Sequence, residues 1–225
     1  MKVTLWARTE IDDGIFAALD VNDDDTDVAD ADYLAEGAGR ACYDSWDRPN
    51  PATRANADYV ANIIRQQHES VLAHATATFY VTGVSRSLTH ELVRHRFLAF
   101  SERSLRYVDA ADMRPVYPPA AECRERARVD RTFTAALAAY EHAVETYEAD
   151  GLPRKQAREA ARAHLPLATE TRIVVTGSHR AWRDMLRQRL SPHADREIRA
   201  LAVELLRQLR EIAPNTYADI TPEAE

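Results

Sequence analysis

The chain has 225 residues, long for one domain but compatible with one, and enough to bury a substantial core. Its net charge of -7 argues against a surface built for nucleic acid or anionic membrane, which calls for a basic excess. Two cysteines, Cys42 and Cys123, form neither a metal-ligand spacing nor a disulfide framework, and no apolar run is long enough for a signal peptide or a membrane span, so a reducing cytoplasm is the expected compartment.

In chain order, Val3, Leu5 and Ala7 alternate with Thr4 and Trp6 and predict an opening strand. The acidic run 20–32 predicts a solvated loop; Asp23-Asp24-Asp25 lacks the glycine turn and distal glutamate of a calcium loop. A short helix is expected over 33–41 and irregular chain over 44–51, around Pro49 and Pro51. A second helix is expected over 53–67, with Tyr59, Val60, Ile63 and Ile64 at helical spacing. His68 ends that helix, and Ser70 is placed to cap a turn reaching His74. Residues 75–82 read as a buried strand ended by Gly83. Ser85 then opens a helix packed through Leu88 and Leu92.

After Arg96 a loop carries Ser101, Glu102 and Ser104, and 105–108 predicts a strand. Pro115, Pro118 and Pro119 mark an extended connection. A long scaffolding helix follows over 122–149, with Phe133, Leu137, Tyr140 and Val144 as its apolar stripe and Gly151 closing it. Pro153 starts the next helix, to Leu165. The continuous Ile173-Val174-Val175 in 171–177 predicts a strand buried on both faces. Two helices close the chain, over 180–190 and over 193–213, the second with Ile198, Leu201, Leu205 and Leu209 as its stripe.

The densest chemistry lies in 91–107, where Arg94, Arg96, Arg103 and Arg106 crowd beside Glu91, His95, Glu102 and two serines. So many fixed donors suit a polyanion such as a phosphate ester; the bland alternative is a solvated helix end in a chain whose 29 basic residues include only two lysines, Lys2 and Lys155. Arg86, His90 and Arg94 fall four apart and form a ridge. In water three such cations repel by a few tenths of a kcal/mol per pair, whereas in a cleft they would bind an anion.

Arg94-His95-Arg96, seven residues and then Ser104 resembles the Arg-His-Arg-x7-Ser signature of the flavin-dependent thymidylate synthases. The blocks Gly39-Arg40-Ala41-Cys42-Tyr43, His68 to His74 and Thr169 to Gly177 look like further family blocks in the same order, so the resemblance runs from about Glu36 to about Pro214, loosely over 109–150. It implies an α+β fold, a mainly antiparallel sheet flanked by helices in a single domain. It also implies reductive methylation of dUMP to dTMP, with methylenetetrahydrofolate as one-carbon donor and FAD reduced by NADPH as hydride source, in a homotetramer whose active sites are shared between subunits.

By the same resemblance, Ser104 and Arg106 grip the dUMP phosphate with help from Arg86 and Arg162, and Glu91, Leu92, Val93, Arg94, Glu102, Arg103 and Leu105 complete the nucleotide site. Arg189 is the arginine that activates the pyrimidine. Ser70, Arg94, His95, Arg96, Glu102, Ser178, His179, Arg180 and Asp184 fall on the FAD positions, and no metal is implied. The chain departs from the pattern at Ala73 (commonly glutamate), Ala99 (often serine), Ser178 (asparagine) and Asp184 (asparagine or histidine). Neither cysteine has the activating setting of the thiolate used by cysteine-dependent thymidylate synthases, so polarisation must replace covalent attack. No Gly-x-Gly-x-x-Gly opens a helix, so the flavin phosphates fall to arginine-rich loops. The competing readings are an arginine-lined nucleotide- or RNA-binding module without catalysis, against which the acidic balance and the lack of an aromatic stacking platform weigh, and a family member that has lost activity.

Overall fold

A computed structural model describes residues 1–12, 28–45, 50–119 and 123–222; the Asp23-Asp24-Asp25 reading, Pro49 and Glu122 lie outside the described residues. The elements are β1 (Lys2–Arg8), α1 (Asp30–Tyr43), α2 (Asn56–Arg65), β2 (Thr76–Ser85), α3 (Arg86–Leu92), β3 (Leu98–Glu102), α4 (Cys123–Ala149), α5 (Arg154–Ala161), β4 (Glu170–Ser178), α6 (His179–Arg189) and α7 (Arg196–Ile212), with 3-10 turns at Pro51–Thr53, Glu69–Ala73 and Arg162–His164. The four strands form an antiparallel sheet in the order β1-β2-β4-β3, so the class is mixed helix and strand, as expected.

One local device is used twice. Val81-Thr82-Gly83-Val84-Ser85-Arg86 and Val175-Thr176-Gly177-Ser178-His179-Arg180 both end a strand on a serine that caps the following helix. Ser85 Oγ accepts from Leu88 N at 3.1 Å and Ser178 Oγ from Ala181 N at 3.3 Å, each satisfying a first-turn N–H that would otherwise lack a partner. Helix direction after β2 and β4 is therefore set within one residue of each strand end.

The chain divides into two compact units, each described by itself. The first comprises Met1–Lys2, Val81–Arg94 and Phe100–Val174. Its core is a cluster in which Phe133, Tyr140 and Val144 of α4 meet Ala157 and Ala161 of α5, with Leu105, Ala110 and Met113. The stripe read from sequence is this contact surface, and Leu137 packs at its edge. The second comprises Val3–Tyr80, His95–Ala99 and Val175–Glu225. Here Phe79 meets Trp182 edge-on, centroids 5.3 Å apart, and Trp182 Nε1 donates to Ala77 O at 3.2 Å, which satisfies the polar end of a fully buried ring. Ile198, Leu201, Leu205 and Leu209 of α7 are buried as their spacing predicts.

The structure corrects several expectations. The strand expected over 105–108 is a turn, with Leu105 in the core, and the edge strand is instead Leu98–Glu102, whose burial alternates weakly between neighbouring arginines. β2 does not stop at Gly83 but runs through it at φ +68° to Ser85. β4 is not buried on both faces: Thr171, Ile173, Val175 and Gly177 are buried while Val174 is half-buried, so period-two alternation is hidden inside an apolar run. Ser70 lies within the 3-10 turn, and His68, the residue at its cap position, makes no side-chain cap.

Asp32 is the largest reversal. Expected in a solvated run, it lies in the first turn of α1 with 0 % exposure, and its carboxylate accepts from Asn215 N (2.8 Å), Thr216 N (2.8 Å) and Thr216 Oγ1 (2.6 Å). Burial raises its pKa, and these three donors pull it back only in part.

Candidate active site

In the first unit, Arg86, Arg106 and Arg158 are each tied to a carboxylate or carbonyl. Arg86, the first residue of α3, lies 3.3 Å from Glu102 Oε1, and its Nη1 donates to Arg103 O at 3.4 Å. Thr89 Oγ1, one turn on, donates to the same Glu102 oxygen at 3.0 Å. Glu102 is thus the counter-charge of Arg86, held in place by Thr89. Arg106 N donates to Ser104 Oγ at 3.3 Å, while Arg106 Nη2 reaches Glu159 Oε2 of α5 at 2.7 Å. Arg158 donates to Tyr107 O (2.9 Å) and Asp109 Oδ2 (2.6 Å). Burial alone would raise the Asp109 carboxyl; the Ala111 amide and Arg158 outweigh it and hold it below the usual range.

Arg106, Lys155, Gln156, Glu159, Ala160 and Arg162 line a cleft of about 700 Å³. Three cations, Arg106, Lys155 and Arg162, at one opening fit a phosphate-bearing ligand. Of the remaining nucleotide positions, Leu92 and Leu105 have buried side chains and present only backbone, Glu91 is half-buried on α3, and Val93 and Arg94 are exposed at its end, where Arg94 N donates to Glu91 O.

The second unit holds the other group. Glu69, Ala73, Phe97, Ser178, Arg180, Ala181, Asp184 and Arg187 line a cleft of about 350 Å³. Ala73, Ser178 and Asp184, three of the four departures from the family pattern, all face it. Phe97 lines it with 81 % of its surface exposed, a large apolar ring open to a ligand. A flat aromatic face, small apolar walls at Ala73 and Ala181, and the exposed Arg180 at the start of α6 suit a flavin nucleotide, which carries a planar ring and a diphosphate. Ser70 is exposed in the neighbouring 3-10 turn, and Arg96 is exposed beside Phe97 in sequence.

His179 differs from expectation in orientation. Its side chain is 2 % exposed, bonded through Nδ1 to Tyr217 Oη at 2.8 Å, and does not line the cleft. Sequence reasoning also missed Arg183. Its side chain is fully buried, forks onto Asp219 at 2.7 and 2.8 Å, and comes within 3.7 Å of Glu69, which in turn accepts from Arg187 at 3.2 Å. A carboxylate 36 residues away gives no local signal. Among the described residues, no three His, Cys, Asp or Glu side chains cluster to hold a metal, and no helix is long and apolar enough to cross a membrane.

A family model described as thymidylate synthase complementing protein matches residues 25–215. The chain belongs to this family. Among curated members it is 51 % identical over 230 residues to a probable flavin-dependent thymidylate synthase of Mycobacterium phage D29, covering 99 % of this chain and 97 % of that one. A flavin-dependent thymidylate synthase of Mycobacteroides abscessus is 47 % identical over 228 residues, covering 97 % and 89 %. Both clefts fall inside the matched residues, and the Arg94-His95-Arg96 motif supplies residues to both units.

Proposed function

We propose that this chain catalyses the reductive methylation of dUMP to dTMP, with FAD as its prosthetic group, NADPH as reductant and methylenetetrahydrofolate as one-carbon donor. Family membership over 25–215, joined to an arginine-lined cleft of nucleotide size, is the observation that supports it. Arg106 and Arg162 meet the phosphate, with the Ser104 hydroxyl donating and Arg86 adding charge. Glu91, Val93, Arg94, Glu102 and Arg103 shape the remainder of the nucleotide surface, to which the buried Leu92 and Leu105 contribute backbone only.

FAD is assigned to Ser70, Arg94, His95, Arg96, Glu102, Ser178, Arg180 and Asp184, with His179 contributing through its backbone. Bound there and reduced by NADPH, it supplies the hydride that completes the methyl group. The chain's own part is electrostatic. Arg189 beside the pyrimidine edge stabilises the ionised ring and makes its carbon five nucleophilic, a preorganised donor of the kind worth about 3–4 kcal/mol of barrier. The enzyme acts in the cytoplasm as a homotetramer, each active site drawing on more than one chain.

The test is conversion of dUMP to dTMP by purified, yellow protein given NADPH and methylenetetrahydrofolate. Arg189→Ala is expected to lower turnover by at least 100-fold, the effect of losing one such donor, while leaving the flavin absorbance in place. Colourless protein that takes up no FAD and turns over no dUMP would overturn the proposal in favour of a non-catalytic nucleotide binder.

A further inference from the structure

Arg189 ends α6 and His95 lies 94 residues earlier, just before β3, yet the second unit brings Arg189 Nε to 3.0 Å from His95 Nε2. An arginine side chain has donors only, so the hydrogen between them has one possible direction. Arg189 Nε–H donates and His95 Nε2 accepts. The imidazole is therefore neutral, with its single proton on Nδ1. His95 is 6 % exposed, and its carbonyl accepts from Leu98 N at 3.1 Å in a tight turn, so the ring's position is fixed by the chain around it.

We propose that His95 is the positioning residue of Arg189, holding the guanidinium plane through an uncharged acceptor. This rests on the pyrimidine-activating role assigned to Arg189 above. The choice of acceptor has a consequence. Glu69 and Asp219 hold Arg187 and Arg183 with a negative charge, which offsets the cation it fixes. A neutral imidazole orients Arg189 Nε–H and places no negative charge against it at this contact. Orientation is the other gain, since a free arginine side chain carries rotamer entropy that binding would otherwise remove.

The arrangement holds only while His95 is neutral. Among the described residues, the charged groups acting on the ring are Arg189 and Asp184, both on α6. Burial lowers the imidazole pKa most, the Arg189 guanidinium lowers it further, and Asp184 opposes them, leaving it below 6.5. Protonation below that point removes the lone pair and places two cations in contact.

Two measurements on the full chain test this. In 15N NMR of the wild type near neutral pH, one buried histidine should carry its proton on Nδ1 with an unprotonated Nε2, and Arg189→Met should raise that histidine's pKa. In turnover with saturating FAD, the acid limb of kcat should lie below pH 6.5 in the wild type. His95→Ala should lower kcat about 100-fold, the effect of a misplaced catalytic group. His95→Gln, whose amide oxygen can accept in place of Nε2, should restore most of that loss and remove the acid limb. A protonated Nε2 in the wild type, or a histidine indifferent to Arg189→Met, overturns the inference, as does equal turnover in His95→Ala. If the NMR result holds and the wild type converts no dUMP, the pair stands and the proposed function fails.

Discussion

His179 makes the folded state sensitive to acid, by an amount that follows from its burial. Its ring is 2 % exposed and its buried Nε2 has no partner among the described residues, so desolvation pushes its pKa from 6.5 down to about 4. In the unfolded chain the imidazole takes up a proton below pH 6.5; in the folded chain it does so only below about 4. Between those values the unfolded state binds more protons, so stability rises with pH across the window. The contribution is complete above pH 6.5 and is lost as pH falls towards 4. At about 1.4 kcal/mol per pH unit, the whole window amounts to about 3 kcal/mol. Guanidinium unfolding of the wild type and His179→Asn, followed by tryptophan fluorescence between about pH 7 and pH 4, reads this directly. The wild type should lose about 3 kcal/mol more than the variant over that range, whatever the variant's stability at neutral pH. Parallel pH dependences in the two proteins would refute the reasoning and place the proton elsewhere.

Three further outcomes are expected. Asp219→Asn leaves the fully buried Arg183 guanidinium with Glu69, 3.7 Å away, as its remaining carboxylate and should cost about 3 kcal/mol, the low end for breaking a buried pair because the Asp219 side chain is 44 % exposed and Glu69 stays; calorimetry should record a Tm about 6–12 °C lower, and an unchanged Tm would mean that Thr216 O and Glu69 suffice. Gly177→Ala drives a methyl group into the Leu98 side chain and to 3.3 Å from Trp182 Nε1, so chemical denaturation should show a loss of about 1–3 kcal/mol unless Leu98 changes rotamer freely. Cys42→Ser together with Cys123→Ser should keep dUMP methylation within about twofold, since Cys42 is exposed and free and no electropositive setting surrounds either thiol in sequence; loss of turnover in a folded double variant would revive a thiolate mechanism.

How much of this was legible in the sequence depended on the range of the determining contact. The apolar stripes of α4 and α7 report their own burial, because helical period is a local property. So does the Ser85 cap, whose partner is three residues away. Val174 was misread because an apolar run admits both a two-faced strand and a one-faced strand with an apolar outer row, and only the neighbouring elements decide between them. The 98–102 strand reads as a loop in sequence because its residues alternate weakly and lie among arginines that dominate the local pattern. For the site, the family resemblance points to Arg86, Ser104, Arg106 and Arg162 without geometry, yet nothing in it could indicate that Glu102 is shared by Arg86 and Thr89. Nor could it indicate that His179 turns inward to Tyr217 or that Arg183 is buried against Asp219, since those partners lie 38 and 36 residues away.

The carboxylate of Asp32 makes the docking of α1 depend on a segment 183 and 184 residues further along the chain, because its three donors belong to Asn215 and Thr216. Without them a docked α1 would hold a buried carboxyl with no partner, and burial already drives that group towards its protonated form. Ala31 and Ala35, buried on the same helix, would then gain their burial only against that desolvation. A change confined to the Asn215-Thr216 turn should therefore be felt as a loosening of α1.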